Sequence, residues 1–159
     1  GVLEMKMNGT VNLKNYSIKI KKKKKKLRSF NLSGATNVTV LPTQKVEKMA
    51  VDLSGASNLK LDVVSNSISV DNSGASSMKI SGNVQDLNIS VSGASSFVGK
   101  ELKAANVVVD CSGASSTTVW AVNSLTADSS GASSVRYVDE NGLKTKVSTS
   151  GTSSIKRIN

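Results

Sequence analysis

Short stretches of alternating apolar and polar residues dominate this chain. Residues 49–53 read Met-Ala-Val-Asp-Leu and residues 87–91 read Leu-Asn-Ile-Ser-Val, so every second position carries a large apolar side chain. A period of two is typical of a β-strand with one buried face. No segment shows a sustained helical period. The pattern therefore predicts an all-β protein.

These strand-like segments belong to an internal repeat. The tetrapeptide Ser-Gly-Ala-Ser, or a close variant, occurs seven times, with its glycines 18–21 residues apart. A pair of helices takes more than about 30 residues, so this repeat is too short to hold one. It fits one coil of a single-stranded parallel β-helix (a solenoid), and seven coils stacked about 4.8 Å apart would form a rod core of about 34 Å. The glycines are Gly34, Gly55, Gly74, Gly93, Gly113, Gly131 and Gly151.

We expect each tetrapeptide to form a corner of the solenoid. Glycine adopts backbone angles that other residues avoid, and the alanine that follows six of the seven glycines is expected to fit a tight inside corner. The next serines, from Ser57 to Ser153, would stack in a column and bond neighbouring backbone groups. They are not expected to be nucleophiles, because the chain has no histidine and no Gly-x-Ser-x-Gly elbow.

The segments between corners complete the predicted coil. A third cluster of apolar residues recurs there, which predicts about three short strands in each repeat. Its members are Val46, Val64, Val84, Leu102 and Val122. Residues 1–26 lack the motif and are predicted to form a short, irregular N-terminal β cap, with strands at 2–7, 11–13 and 17–20 and a turn at Asn8-Gly9. Residues 27–159 are the predicted repeat domain, and the two parts form one structural domain.

The charge of the chain is concentrated in one segment. The formal net charge is +10, from 21 basic and 11 acidic residues, and the six residues Lys21, Lys22, Lys23, Lys24, Lys25 and Lys26 account for six of the positive charges. This lysine run (residues 21–26) has two interpretations, an electrostatic patch for an anionic polymer or membrane surface and a loop or edge strand kept soluble by its charge. Aromatic residues make up only 3% of the chain, which argues against specific nucleic-acid recognition.

The residue inventory excludes several kinds of site. Without histidine the chain lacks the commonest general base and the commonest zinc ligand. The single cysteine, Cys111, cannot form an intrachain disulfide and stands at a ladder position, so it is predicted to be a buried, inert thiol. No apolar run approaches the roughly 20 residues that span a bilayer. No cofactor is expected.

Two groups of residues are candidate ligand contacts. The aspartates three positions before a corner glycine would stack on one another, as a calcium site or as exposed carboxylates paired with lysines such as Lys60 and Lys79. These are Asp52, Asp71, Asp110 and Asp128. Trp120 should point outward, where it would either anchor a partner or a sugar ring or pack under a loop.

The repeats resemble a known family. Leu-Ser-Gly-Ala-Ser-Asn-Leu-Lys-Leu at 53–61, Val-Ser-Gly-Ala-Ser-Ser-Phe at 91–97 and the closing coil at 144–156 are similar to the auto-transporter adhesin, head GIN domain family. The resemblance covers about residues 27–158. It implies a right-handed single-chain β-helix in exported, mostly Bacteroidetes, proteins, and hence the periplasm or the cell surface. Members of that family usually have a longer N-terminal half with its own β-structure, whereas here that region is short and carries the lysine run.

Three functions follow from these features. The favoured one is a non-enzymatic cell-surface or periplasmic module with an adhesin-like or scaffold role, whose partner is an unknown protein or glycan. The second is an electrostatic binder of anionic polymer or membrane through the lysine run. The third, by analogy of fold alone, is a polysaccharide-active enzyme, for which only the aspartate column could supply paired carboxylates. A weak homo-oligomer remains an open alternative.

Overall fold

The computed structural model describes residues 2–5, 10–15, 17–21, 26–41, 43–140 and 142–158. Every regular element among them is a β-strand, and all thirteen strands join one hydrogen-bonded sheet that winds into a solenoid of about seven turns. The all-β solenoid predicted from the repeat is therefore confirmed. The strands are β1 (Val2–Met5), β2 (Thr10–Lys14), β3 (Ser17–Lys21), β4 (Ser29–Ser33), β5 (Asn37–Leu41), β6 (Gln44–Leu53), β7 (Asn58–Asn72), β8 (Ser77–Val91), β9 (Ser96–Cys111), β10 (Ser116–Ser129), β11 (Ser134–Asp139), β12 (Lys144–Thr149) and β13 (Ser154–Arg157).

The middle coils are built from single long strands. Strands β7, β8, β9 and β10 contain 14 to 16 residues each and run from one corner to the next. The prediction of three short strands per repeat is wrong here, because the ladder with the neighbouring coil continues through the bends. Shifts of register between Lys79 and Ser81, and between Thr118 and Trp120, absorb the differences in repeat length as β-bulges.

The corners explain the Ser-Gly-Ala-Ser signature. Gly74 has a φ of +78°, and a Cβ placed on it would lie 2.7 Å from the carbonyl oxygen of Gly55 in the coil below. The amide of Ala75 donates a 2.8 Å hydrogen bond to that same oxygen. The corner therefore needs glycine both for its backbone angle and for the close approach of stacked coils.

The alanine of the motif does not occupy an inside corner, as the sequence had suggested. Ala56, Ala75 and Ala94 are exposed, whereas the serine after each of them is buried. The left-handed glycine turns the chain so that the next residue points outward and the one after it inward. The buried hydroxyl then satisfies the turn, as in the 2.8 Å hydrogen bond that Ser57 Oγ donates to the carbonyl of Ser54.

The N-terminal strands extend the solenoid by one coil. Strand β2 pairs in parallel with β4, and β3 pairs in parallel with β5, so Thr10–Lys14 and Ser17–Lys21 stack below the first glycine corner. Asn15 takes the place of glycine with a φ of 60°, and its side-chain oxygen accepts a 2.9 Å hydrogen bond from the amide of Ala35. Strand β1 pairs antiparallel with β2. The predicted Asn8-Gly9 turn lies outside the described residues.

The core is a set of stacked apolar columns along the axis. Residues four and two positions before each glycine, and four and six positions after it, supply most of the buried side chains. In the connectors, Val46, Val84 and Leu102 are buried as predicted, but Val64 is 40% exposed and its neighbour Val63 is buried instead. Strand β12 is exposed along its whole length.

Candidate functional site

The solenoid presents three surfaces, and the first lies before each corner. Residues three positions before the corner glycine form a vertical line, here called the acidic column. Its members, in order along the axis, are Asn12, Asn31, Asp52, Asp71, Ser90, Asp110, Asp128 and Ser148. As predicted, Asp52 is paired in register with Asp71, and Asp110 with Asp128.

The negative charges of the acidic column are not paired with Lys60 and Lys79, as the sequence had suggested. Lys60 and Lys79 lie on the other side of the corner, and Lys79 Nζ is 2.9 Å from Glu101 Oε1. In the described part of the chain, no group of three or more acidic, histidine or cysteine side chains is close enough to hold a metal ion. Partial burial, and next the charge of Asp71, raise the pKa of Asp52.

This shift makes a prediction about stability and pH. Because the pKa of Asp52 in the folded protein lies above its ordinary value of 3.8, its ionised form destabilises the fold at pH values above the raised pKa, and the cost vanishes below 3.8. We expect Asp52→Asn to raise Tm at pH 7 by on the order of 1–3 °C and to leave it unchanged at pH 3. Thermal unfolding at both pH values checks this, and an equal gain at both would contradict the electrostatic explanation.

The second surface lies after each corner and carries positive charge. Residues five positions after each corner glycine, and four after Asn15, form a line, here called the basic column. Its members are Lys19, Thr39, Lys60, Lys79, Val98, Thr118, Arg136 and Lys156. The lysine run starts with Lys21, the last residue of β3. Lys26 is exposed, and residues 22–25 lie outside the described part.

The third surface is a groove along the connectors. Three hollows adjoin here, and the central one has a volume of about 410 Å³. It shares Val64, Ser65 and Asn66 with the hollow on one side, and Val122 and Asn123 with the hollow on the other. We call this the connector groove. Its lining is rich in amide side chains and has lysines and glutamates at its ends. The residues are Lys26, Lys45, Val46, Glu47, Val64, Ser65, Asn66, Asn83, Val84, Gln85, Lys103, Ala105, Asn106, Val122, Asn123, Ser124, Glu140, Gly142 and Lys144.

Hydrogen bonds hold one edge of the connector groove in place. Asn106 Nδ2 donates a 2.9 Å hydrogen bond to Asp86 Oδ1, and Ser124 Oγ donates a 3.0 Å hydrogen bond to Asn106 Oδ1. These residues come from three consecutive coils and form one chain of polar contacts along the axis. The edge is therefore ordered before any partner binds, which lowers the entropic cost of binding.

Trp120 lies beside this groove and is covered by a lysine. The residue points outward between buried Val119 and Ala121, as the alternation predicted, but it is half-buried. Lys103 Nζ sits 5.2 Å from the centre of its ring and also forms a 2.5 Å ion pair with Glu140 Oε1. Trp120 is therefore held by a cation–π contact rather than presented as a bare platform for a sugar.

Cys111 occupies a buried ladder position, as predicted. It is fully buried, its Sγ lies 2.9 Å from Thr117 Oγ1, and burial raises the pKa of its thiol. A buried thiol with a raised pKa is a poor nucleophile.

Comparison with known proteins places this solenoid in a family. The family model described as "Putative auto-transporter adhesin, head GIN domain" matches residues 1–140. The chain belongs to this family. The match includes the N-terminal coil of this head GIN domain protein, which the Ser-Gly-Ala-Ser repeats alone do not reach. No protein with a curated description matches the chain.

Two crystal structures share the fold of this head GIN domain protein. A putative adhesin from Bacteroides fragilis has a TM-score of 0.78 and 20% sequence identity, over 83% of this chain and 61% of that one. A putative adhesin from Parabacteroides merdae has a TM-score of 0.62 and 14% identity, over 83% of this chain and 64% of that one. The chain thus spans less than two thirds of either relative. Where the structure describes the chain, it contains no helix of the length and apolarity needed to cross a membrane.

Proposed function

We propose that this protein is a non-enzymatic, adhesin-like module, exported to the periplasm or the cell surface, that holds an extended partner in the connector groove. The observation that carries the proposal is the groove itself, a continuous hollow with an amide-rich lining that crosses several coils. Membership of an adhesin family supports a binding role at a surface.

The lining of the connector groove suits a glycan or an extended peptide. The amides of Asn66, Asn83 and Asn123 each offer both donors and acceptors, as sugar hydroxyls and peptide groups require. Val64, 40% exposed, adds an apolar contact for the face of a sugar ring or for a side chain. The lining of the central hollow comes from β7, β8, β9 and β10, which stack about 4.8 Å apart, so a partner aligned with the rod would contact four coils.

The position of the carboxylates supports binding rather than hydrolysis. A glycosidase needs two carboxyl groups on either side of the bond that it cleaves. The four aspartates of the acidic column face a different surface from the connector groove. Of the glutamates in the groove, Glu140 is already paired with Lys103. A partner held in the groove would therefore not lie between paired carboxylates.

The test is a glycan and peptide binding screen with a matched pair of variants. Asn83→Ala/Asn123→Ala removes two exposed amides from the groove, and Asn88→Ala/Ser69→Ala removes two exposed polar groups from the surface before the corner. Loss of two hydrogen bonds, at about 1 kcal/mol each, should weaken binding by about thirtyfold in the groove variant. The control variant should bind as the parent protein does.

Two results would overturn this proposal. One is a partner whose affinity is the same for the groove variant and the parent protein. The other is release of shortened products from a bound glycan, which would make the protein an enzyme.

A further inference from the structure

We propose that the basic column is a second binding surface, separate from the connector groove, and that it binds a linear acidic polysaccharide aligned with the solenoid axis. The shared chemistry of such a ligand is a carboxylate or sulfate group repeated along one chain. The charged members of the site are Lys19, Lys60, Lys79, Arg136 and Lys156.

The arrangement of charge carries this inference. Five of the eight positions in the basic column are lysine or arginine, all five are exposed, and none of the eight is acidic. The equivalent column on the other side of the corner holds four aspartates and no base. Each coil thus separates its charges onto two surfaces, and the fold collects residues about 19 positions apart in sequence into one positive line.

The neutral positions of the basic column fit the same ligand. Thr39 and Thr118 supply hydroxyl groups, and Val98 is 36% exposed and presents no charge to repel an anion. The neighbouring line, three positions after each corner glycine and two after Asn15, consists of serine and asparagine. Its members are Ser17, Asn37, Asn58, Ser77, Ser96, Ser116, Ser134 and Ser154. Hydroxyl and amide donors beside a cationic line strengthen anion binding through charge-assisted hydrogen bonds.

Two carboxylates, those of Asp62 and Glu101, lie close to the basic column. Asp62 accepts hydrogen bonds from Thr43 and Ser81. Glu101 pairs with Lys79 at 2.9 Å, with its side chain 63% exposed. An exposed ion pair of this kind contributes little to stability and exchanges readily with another anion. A ligand anion would therefore compete with Glu101 for Lys79.

A linear glycan fits better than a membrane or a duplex. The basic column is one residue wide and, over eight coils, about 34 Å long, which matches a single extended chain. A membrane contacts a plane and is held best when apolar groups accompany the charges, whereas the exposed apolar residues here, Leu41 and Val98, stand apart. Only one arginine stands in the column, and arginine dominates recognition of phosphate and base edges.

The experiment compares two triple variants with the same net charge. Lys60→Gln/Lys79→Gln/Arg136→Gln removes three charges from the basic column, and Lys14→Gln/Lys48→Gln/Lys146→Gln removes three exposed lysines elsewhere. Both lower the formal charge from +10 to +7, because each loses three of the 21 basic residues. The probes are size-defined heparin and polygalacturonate oligosaccharides, anionic phosphatidylglycerol vesicles and duplex DNA. Affinity is measured from low to physiological salt.

We expect the column variant to bind the oligosaccharides roughly tenfold more weakly, and to lose about three in the slope of log affinity against log salt. The control variant should lose much less. Longer oligosaccharides should bind more tightly until they span the column. Glu101→Gln, which removes the competing carboxylate, should bind about twofold more tightly.

Other results would overturn the proposal. Equal losses in the two triple variants would mean that net charge alone is responsible. Vesicles or DNA bound as tightly as the oligosaccharides would indicate a membrane or nucleic-acid surface instead. Each variant is also made with residues 22–25 replaced by serine, and loss of all affinity in that background would assign binding to the lysine run. The groove variant Asn83→Ala/Asn123→Ala should bind these probes normally, so failure here and failure of the connector groove are distinguishable.

Discussion

Replacing Gly74 with alanine will destabilise this protein by about 3 kcal/mol or more, one of the largest losses available from a single added methyl group. Part of the cost is the left-handed backbone at φ +78°, which disfavours alanine by about 1–2 kcal/mol. The rest is steric, because the new Cβ would lie 2.7 Å from Gly55 O and 2.9 Å from Gly55 N. These are backbone atoms of the corner below, so the clash is relieved only if stacked coils separate.

Gly142→Ala is the matched control for this experiment. Gly142 also has a positive φ, +95°, but a Cβ added there meets no atom within 4 Å. Its substitution should therefore cost only the backbone term, about 1–2 kcal/mol. Chemical denaturation followed by circular dichroism measures both variants. If Gly74→Ala and Gly142→Ala lose the same stability, the corners do not depend on close stacking, and the explanation of the repeat given above fails.

The corner glycines were the part of the fold most accessible from sequence. Glycine at near-constant spacing, flanked by residues of period two, indicates the corner, the coil length and which residues share a column. The corner at Asn15 could not be found in this way, because asparagine replaces glycine and the tetrapeptide is absent. A search for Asn or Asp one repeat before Gly34 would have found it, since these residues tolerate the left-handed conformation.

The connectors were less predictable. Val63 continues the inward alternation of Leu59 and Leu61, and the structure buries it. Val64, which was expected to belong to the apolar connector cluster, is exposed because β7 continues without a break through this part of the coil. Strand β9 has extra residues between Val98 and Lys103 relative to both neighbouring strands, so a fixed spacing from the glycine fails beyond that point of β9.

The candidate surfaces were predictable only in part. The aspartates could be assigned to a column because they stand close to the motif. The basic residues of the basic column stand equally close to the motif and could have been assigned in the same way. They were missed because the six consecutive lysines at 21–26 drew attention as the main concentration of positive charge. The connector groove has no motif, since its amides come from the least regular segment of each repeat. The outward direction of Trp120 was predicted correctly. Its cation–π contact with Lys103 could not be predicted, because Lys103 belongs to the neighbouring coil and the register between the two strands shifts just before Trp120.

These surfaces can diverge because the corners and the core alone determine the coil. Outward residues between corners add side-chain contacts, such as the hydrogen bond from Asn106 to Asp86, to coils that the core and the backbone ladders already hold together. Acidic, basic and amide-rich lines can therefore change independently of folding, which is typical of repeat proteins that bind along an extended face. Variants in the three surfaces should accordingly retain the fold, whereas changes at a corner or in a column of the core should not.

Phe97→Ala will cost about 3–5 kcal/mol, because the ring is fully buried and its removal leaves a large cavity. The site has a second feature that makes the result diagnostic. At the position six after the corner, where neighbouring coils have Ile80 and Val119, this coil has Gly99. A Cβ on Gly99 would lie 2.7 Å from Cε1 of the Phe97 ring and 3.2 Å from the carbonyl oxygen of Thr118. The ring therefore fills the space that a side chain at Gly99 would take.

A double-mutant cycle tests whether the two residues share one volume. Gly99→Ala alone should destabilise the protein because its methyl group meets the ring, and Phe97→Leu alone because it leaves a gap. Together they should lose less than the sum of the single losses, by on the order of 1 kcal/mol, since the methyl group added at position 99 occupies part of the gap. Pairing Gly99→Ala with Leu13→Val, a buried change four coils away in β2 and so about 19 Å along the axis, should be additive. If the losses for Phe97→Leu and Gly99→Ala are additive, the two residues do not share a volume. Glycine at position 99 would then be required because a Cβ there would lie close to the carbonyl oxygen of Thr118, and not because of the Phe97 ring.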